Sequence, residues 1–324
     1  MPRLALALIA SIVLSIIGYI AVVAWSGSEE TLAAMRQLSA PAWAAVLALS
    51  LGNYLTRFAR WQRYLARLGA DSLPPPGTHA LIYTAGFALT TTPGKAGETV
   101  RGVILKRYYQ VPFALSLSAF FVERLMDLVS VLVIVVLAVP VAIGSDLRGI
   151  AVLLVIAALA LLPLLHNRTL LAWLKRRVRR WPHRPRVVGL HVLALFTSSA
   201  ALLQNRSLYE GLALGLLAWT LEGIGLYLIL QGMGVDIALT VAIGIYGLST
   251  LVGALTLVPG GLGGTEISMV ALLVAAGADQ ATAAGATLIC RIASLWFAVL
   301  LGMLAATWLA LGGLPQAAPD STPP

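Results

Sequence analysis

The sequence predicts an all-α, polytopic transmembrane bundle of two inverted repeats, each holding a re-entrant hairpin broken by Pro-Gly. Three observations carry this reading. First, of 324 residues 59% are hydrophobic and only 11% are charged, with a mean hydropathy of +0.90; a soluble domain carries about 25% charged residues. Second, apolar runs long enough to span a bilayer recur along the chain. Third, residues 90–98 (TTTPGKAGE) return in altered form as residues 255–266 (LTLVPGGLGGTE). Each copy is a Pro-Gly break, a few small residues and a glutamate between apolar runs. Gly and Pro at this density end a helix. Irregular backbone at membrane depth persists only where protein or a water-filled cavity satisfies its polar groups.

The surroundings of the two copies also match. Gly69 stands 24 residues before Pro93, and Gly234 stands 25 before Pro259; Arg124 follows Pro93 by 31 residues and Arg291 follows Pro259 by 32. Both arginines lie inside apolar segments. Landmarks kept in register to within one residue mark two related halves.

Taken in order, residues 4–25 form an apolar run of spanning length without a convincing cleavage site, and are read as the first transmembrane helix rather than a signal peptide. Residues 26–40 read as a polar loop. A second span covers 41–57 and leads into Arg57, Arg60, Arg63 and Arg67. Prolines 74–76 stop that helix. Residues 78–89 are too short to cross and return, so they read as one arm of the first hairpin, with 96–110 as the other. A long apolar stretch, 111–143, is interrupted by Glu123, Arg124 and Asp127. After a turn at 144–149, a further span covers 150–165. Residues 168–186 form the most basic segment; Pro182 and Pro185 keep it from being one helix, and 190–204 either lie in the interface or span, the orientation below following if they do not span. In the second half, 212–230 span with Glu222 inside, 241–258 lead into the second Pro-Gly loop, 267–276 form its second arm, and 281–311 form the last span. Residues 315–324 read as a disordered tail. The expected organisation is therefore an N-terminal repeat (1–166), a basic cytoplasmic linker with an interfacial helix (167–206), a C-terminal repeat (207–312) and a tail (313–324).

Positive charge sets the expected orientation. The basic clusters at 57–67, 101–107 and 168–186 are placed in the cytoplasm, and the poorly charged loops at 26–40, 144–149, 232–236 and 277–280 outside. The N- and C-termini then lie inside, the two halves are inverted, and their loops meet near the midplane, a signature of secondary transporters. The net charge of +9 bears on orientation and on anionic headgroups before it suggests nucleic acid. The lone cysteine, Cys290, permits no intramolecular disulfide and reads as a packing residue.

Charge within a span is costly and therefore paired, and often functional. Glu123 and Asp127, four apart, share a helix face, while Arg124 points about 100° from Glu123, toward Glu98, Glu266 or a ligand. These residues form either a structural ion cluster or an anion site. Arg124 and Arg291 offer a planar fork suited to phosphate, and Lys95 stands at the tip of the first loop just before a helical arm; Gly261 occupies the matching place in the second. Arg101 follows on that arm. Glu98 and Glu266 either cap or pair with arginines, or take protons in coupled transport. Pro93, Gly94 and Gly97 shape one loop; Pro259, Gly260, Gly261, Gly263 and Gly264 shape the other. Four scattered histidines have no metal-ligand spacing, and no nucleophile elbow or P-loop is present, so neither a cofactor nor an enzyme activity is expected.

At TTTPGKAGETVRG (90–102), FVERLMD (121–127), VPGGLGGTE (258–266) and the WQRYLARLG stretch (61–69), the chain resembles the lysylphosphatidylglycerol synthase transmembrane-region family, over roughly residues 4–311. In that family the membrane region occurs alone or fused to a soluble aminoacyl transferase. The fused form is linked to making and flipping lysyl-phosphatidylglycerol; stand-alone relatives are associated with hopanoid or glycolipid export. The resemblance implies the flippase-like part, without the transferase and without a fixed substrate. The expected function is movement of an amphipathic lipid between leaflets of the inner membrane. Two alternatives stay open: a membrane-embedded lipid- or glycan-modifying enzyme using Glu98, Glu123 or Asp127, and a non-catalytic scaffold that recruits a lipid-synthesis enzyme through 168–186.

Overall fold

The computed structural model describes residues 28–70, 72–142, 148–162, 164, 167–256 and 258–313. Among them it is all-helical, with no strand. The span expected at 4–25, most of the turn at 144–149 and the tail at 315–324 lie outside the described residues.

Helix α1 (Ser28–Arg36) stands where the sequence reads as a loop. Its packing explains the difference: Thr31, Ala34 and the following Leu38 are buried, and α1 rests on α12 (Gln280–Arg291). Tertiary burial makes a helix here of a stretch too short to be one alone. Helix α2 (Ala40–Arg67) begins at Ser39, whose Oγ accepts from the Ala42 N–H (3.4 Å), with Pro41 in the first turn where no N–H is needed. It runs ten residues past the expected end at Arg57. It stops at Gly69, left-handed at φ 78°, and the Ala70 N–H donates back to Leu65 O (3.1 Å). Helix α9 (Asn205–Gly232) is also 28 residues long and ends the same way: Gly234 has φ 76°, and the Val235 N–H donates to Leu230 O (2.9 Å). Both endings carry the long back-bond that closes a helix over a glycine.

The elements after the two long helices correspond as well. After α2 come α3 (Pro76–Ala85), a 3-10 turn (Gly86–Leu89), the first Pro-Gly loop (a 3-10 segment, Pro93–Thr99) and α4 (Val100–Tyr109). After α9 come α10 (Leu239–Leu255), the second loop with its 3-10 turn (Pro259–Gly261) and α11 (Gly264–Ala275). The first half closes on α5 (Phe113–Ala142). The second closes on α12, a π turn (Ile292–Trp296) and α13 (Phe297–Trp308). Between the halves lie α6 (Arg148–Leu161), α7 (Arg168–Val178) and α8 (His183–Ser198). Pro182 separates α7 from α8, but Pro185 sits in the first turn of α8, so this helix starts well before residue 190. Residues 206–232 and 280–312 are long and apolar enough to cross a membrane.

The halves interlock. Helices α2 and α9 pack antiparallel: Val46 faces Gly225, Asn53 Nδ2 donates to Ala218 O (2.7 Å), and Arg60 Nη1 donates to Gly211 O (3.4 Å). Asn53 stands 16 residues before Gly69, and Ala218 stands 16 before Gly234, so this contact joins matching positions. The other packing is reciprocal: α10 lies on α5, while α3 and the 3-10 turn after it lie on α13. That second contact is close, since a Cβ at Gly302 would stand 2.2 Å from Ala88 N. Both apolar cores draw on both halves, one around Val46, Leu226 and Ala286, the other around Trp61, Tyr83 and Ala298.

Candidate functional site

The first half buries a cluster of four guanidiniums and three carboxylates. Glu123, fully buried on α5, lies at its centre. It takes Arg101 Nη2 on one oxygen; on the other it faces Arg124 Nη2 (3.1 Å), Arg57 Nη2 (3.5 Å) and Arg60 Nη2 (3.8 Å), and accepts from Tyr83 Oη (2.8 Å). Asp127, one turn on, holds Arg60 at 2.5 Å and Arg124 at 3.1 Å. Glu98 comes from the first loop, accepts from Thr90 Oγ1 (2.7 Å) and stands 3.8–3.9 Å from Arg57 and Arg124. The Arg101 guanidinium also lies over the rings of Trp61 (3.9 Å) and Tyr83 (4.6 Å), a favourable place for a desolvated cation. Burying a charge costs several kcal/mol unless it is paired, and here each carboxylate answers several arginines. The cluster fixes α2, α4, α5 and the first loop to one another.

The sequence expectation that Arg124 is turned away from Glu123 needs correcting. One residue along a helix is about 100° round, but the long arginine side chain reaches back to Glu123 and across to Glu98 and Asp127. Two cluster members escape the sequence reading altogether. Arg57 and Arg60 read as part of a cytoplasmic basic patch, yet they are 5% and 0% exposed. The signal is present: Asn53, Arg57, Arg60 and Tyr64 form one stripe at helical spacing, and all four are buried, whereas Arg63 is exposed. Arg101 likewise separates from Lys106 and Arg107, being buried while they are exposed.

The second half holds a smaller set. Arg291 donates through Nε to Glu266 (2.7 Å) and through Nη2 to Gly260 O (2.7 Å), tying α12 to the second loop and the first turn of α11. Thr265 fits against Gly253, where a Cβ would stand 1.9 Å from Thr265 Oγ1. Beyond Arg291 the π turn brings Ser294 O to Tyr54 Oη of α2. The two Pro-Gly loops pack on each other, and a Cβ at Gly260 would touch Thr91 Cγ2 at 3.6 Å.

Between the loops lies a cavity of about 380 Å³. Arg57, Lys95, Arg124 and Arg291 supply its positive charge, Asp127 and Glu222 its negative charge. Arg57 and Arg124 turn Nη2 to the cluster carboxylates, but each keeps a buried Nε without a hydrogen-bond acceptor. Lys95 makes no ion pair among the described residues and lies 6.0 Å from the Trp219 ring centroid. Gly94 and Lys95 are both left-handed (φ 60° and 56°), as are the matching Gly260 and Gly261 (φ 68° and 67°). A left-handed lysine is uncommon and strained. Glycine carries this conformation in the second loop because a side chain at 261 would meet Thr265 and the Gly253 backbone within 3.3 Å.

A family model for the lysylphosphatidylglycerol synthase TM region matches residues 8–302. The chain belongs to this family. Related chains include a UPF0104 membrane protein of Methanothermobacter thermautotrophicus, 26% identical over 321 residues and 90% of each chain. Another, from Pyrococcus horikoshii, is 23% identical over 86% of this chain and 90% of that one; a third, from Methanocaldococcus jannaschii, is 22% identical over 67% and 92%. With its apolar helices, this member of the synthase TM-region family is a helical membrane protein.

Within this family member the structure brings Lys95, Glu98, Arg101, Glu123, Arg124 and Asp127 together, and separately joins Glu266 to Arg291. Glu222, noted in the sequence only as a charge inside a span, faces the cavity. His79, by contrast, is buried and accepts from Trp61 Nε1 (3.1 Å), a packing role.

Proposed function

We propose that the protein moves an amphipathic lipid between leaflets of the cytoplasmic membrane, the anionic headgroup passing through the central cavity while the acyl chains stay in the bilayer. One observation carries the reading: Lys95, held left-handed without an ion pair among the described residues, shares the cavity with Arg57 and Arg124, each of which keeps a buried Nε without an acceptor. Buried polar groups left unsatisfied favour a ligand that satisfies them, and arginine and lysine suit phosphate oxygens.

The antiparallel α2–α9 contact at matching residues and the reciprocal packing of α3 on α13 and α10 on α5 support two inverted repeats related by an axis through Asn53 and Ala218. The two Pro-Gly loops then enter as re-entrant hairpins from opposite faces and meet in mid-membrane, where broken helices suit a substrate site. The exposed side chains of Lys175, Arg176, Arg177, Arg179 and Arg180 suit a cytoplasmic linker between the repeats, with both termini on that side.

The test is translocation of fluorescent phosphatidylglycerol in proteoliposomes. Lys95→Gly, which installs the residue of the second loop, is expected to lower the rate about tenfold or more, the loss of one charged hydrogen bond, and Lys95→Arg, which keeps the charge, to lose less. Equal rates for wild type and Lys95→Gly would sink the reading. A chemically altered lipid in the vesicles would favour an enzyme instead.

A further inference from the structure

Two carboxylates line the cavity, and their surroundings differ. Asp127 is held by Arg60 and Arg124. Glu222, 6% exposed on α9, has Ser50 Oγ as its hydrogen-bond donor (3.3 Å) and makes no ion pair among the described residues. It stands 12 residues before Gly234, as Arg57 stands 12 before Gly69. The same position thus carries a cation in one half and a carboxyl in the other, and both face the same cavity.

Its neighbours come from every element that packs on α9. The cations Arg57 of α2, Lys95 of the first loop and Arg291 of α12 act on it from beyond ion-pair distance. Across the cavity, α5 presents Arg124 and Asp127, which already pair with each other. The remaining titratable neighbours are Tyr54 of α2, Tyr246 of α10 and Cys290 of α12.

We propose that Glu222 is a proton-binding site linked to the headgroup, so that an anion on Lys95, Arg57 and Arg124 and a proton on Glu222 occupy the cavity together. This rests on the anion reading above. With the cavity empty, the distant cations support the Glu222 carboxylate. An anion seated on those cations cancels that support and adds like-charge repulsion, so the carboxyl takes up a proton from water. The linkage is reciprocal: a proton on Glu222 tightens anion binding by the factor by which the anion tightens the proton. Asp127 does not share this role, because Arg60, which holds it at 2.5 Å from outside the cavity lining, neutralises it whether or not an anion is present.

The experiment titrates the detergent-solubilised full chain with short-chain phosphatidylglycerol by calorimetry, in buffers of different ionisation heat, across a range of pH. The heat difference between buffers counts protons taken up per phospholipid bound. Wild type is expected to take up as much as about one proton, with affinity falling by up to about tenfold per pH unit on the alkaline side, the limit for one linked proton. Glu222→Gln should bind without proton exchange and with flat pH dependence, while Glu222→Asp should keep the uptake. Binding by wild type without uptake, or equal uptake in Glu222→Gln, overturns the proposal and leaves the headgroup reading standing. No binding at any pH overturns both. If Glu222→Gln does not fold, Ser50→Ala takes its place: loss of the hydrogen bond should move the pH at which uptake occurs, and an unmoved profile counts against Glu222.

Discussion

The segments before and after α6–α8 have several backbone landmarks in common and differ in charge. Gly69 and Gly234 end matching helices, and the left-handed pairs at 94–95 and 260–261 shape matching loops. Yet, counted from the landmark arginines 124 and 291, Glu123 of the first half stands opposite Cys290 of the second, and Asp127 opposite Ser294. Counted from the helix ends, Arg57 stands opposite Glu222. The first half therefore concentrates seven charged side chains where the second has one ion pair and a lone carboxyl. Glycine recurs at most of these landmarks because a left-handed backbone strains other residues, Lys95 being the exception.

The largest expected effect tests that asymmetry directly. Glu123→Ala leaves four buried guanidiniums short of their common partner; breaking one buried pair costs about 3–5 kcal/mol. The variant should lose most of its folded yield or unfold far earlier in a detergent thermal melt. Cys290→Ala, at the matching place, removes one small buried group and should cost about 1 kcal/mol. Comparable losses in the two variants would mean that the cluster does not hold the first half together.

Next comes a pair of loop glycines. A Cβ at Gly97 would meet Leu89 Cβ at 2.5 Å and Leu89 O at 2.9 Å, whereas Gly263 (φ 79°) has open space around it. Alanine should cost about 1–3 kcal/mol at either place, through overpacking at 97 and backbone strain at 263. The two differ in how they are relieved. Leu89→Gly, which removes the Cβ that a methyl at 97 would strike, should couple favourably to Gly97→Ala, whereas no neighbouring truncation should help Gly263→Ala. The check is a double-mutant cycle on melting temperature.

A smaller effect has the opposite sign. Lys95→Gly relieves a left-handed lysine and should stabilise the fold by about 1 kcal/mol while slowing translocation. A higher melting temperature with a lower rate is the outcome expected of strain retained for a ligand. A lower melting temperature would make Lys95 a structural residue.

Much of this is legible in the sequence because backbone constraints leave local marks. The two loops and the spacing of Gly69, Gly234, Arg124 and Arg291 about them follow from Gly, Pro and register; that α2 ends at Gly69 rather than at the prolines 74–76, and that Glu266 is the partner of Arg291, come from the structure. The members of the cluster on α5 are visible as charges in an apolar run. Arg57 and Arg60 are not, because they sit beside Arg63 and Arg67 and the four together imitate a surface patch; only helical phase separates the buried pair. Glu222 is visible as a charge but carries no weight alone, since its meaning depends on which cations surround it, a property of the packed helices. Helix α1 is hidden for the same reason, being made by its contact with α12.

The last comparison is between the starts of the matching helices α5 and α12. Asp279 stands 12 residues before Arg291, where Pro112 stands 12 before Arg124. Asp279 Oδ1 accepts from the Thr282 N–H (2.9 Å), an N-cap, whereas Pro112 has no side-chain acceptor to offer. Bonds from the Thr282 side chain and backbone hold the Asp279 carboxyl below its usual range. Because its folded value lies below the unfolded one, the cap contributes fully above the unfolded value and is lost as the pH falls through the folded one. Asp279→Ala should therefore cost about 1 kcal/mol at neutral pH and almost nothing in strong acid, while Pro112→Ala should show no such pH dependence. Melting temperatures of both variants and wild type, taken from neutral to acid pH, decide it: a constant offset for Asp279→Ala would mean that the capping charge contributes nothing beyond the shape of the side chain.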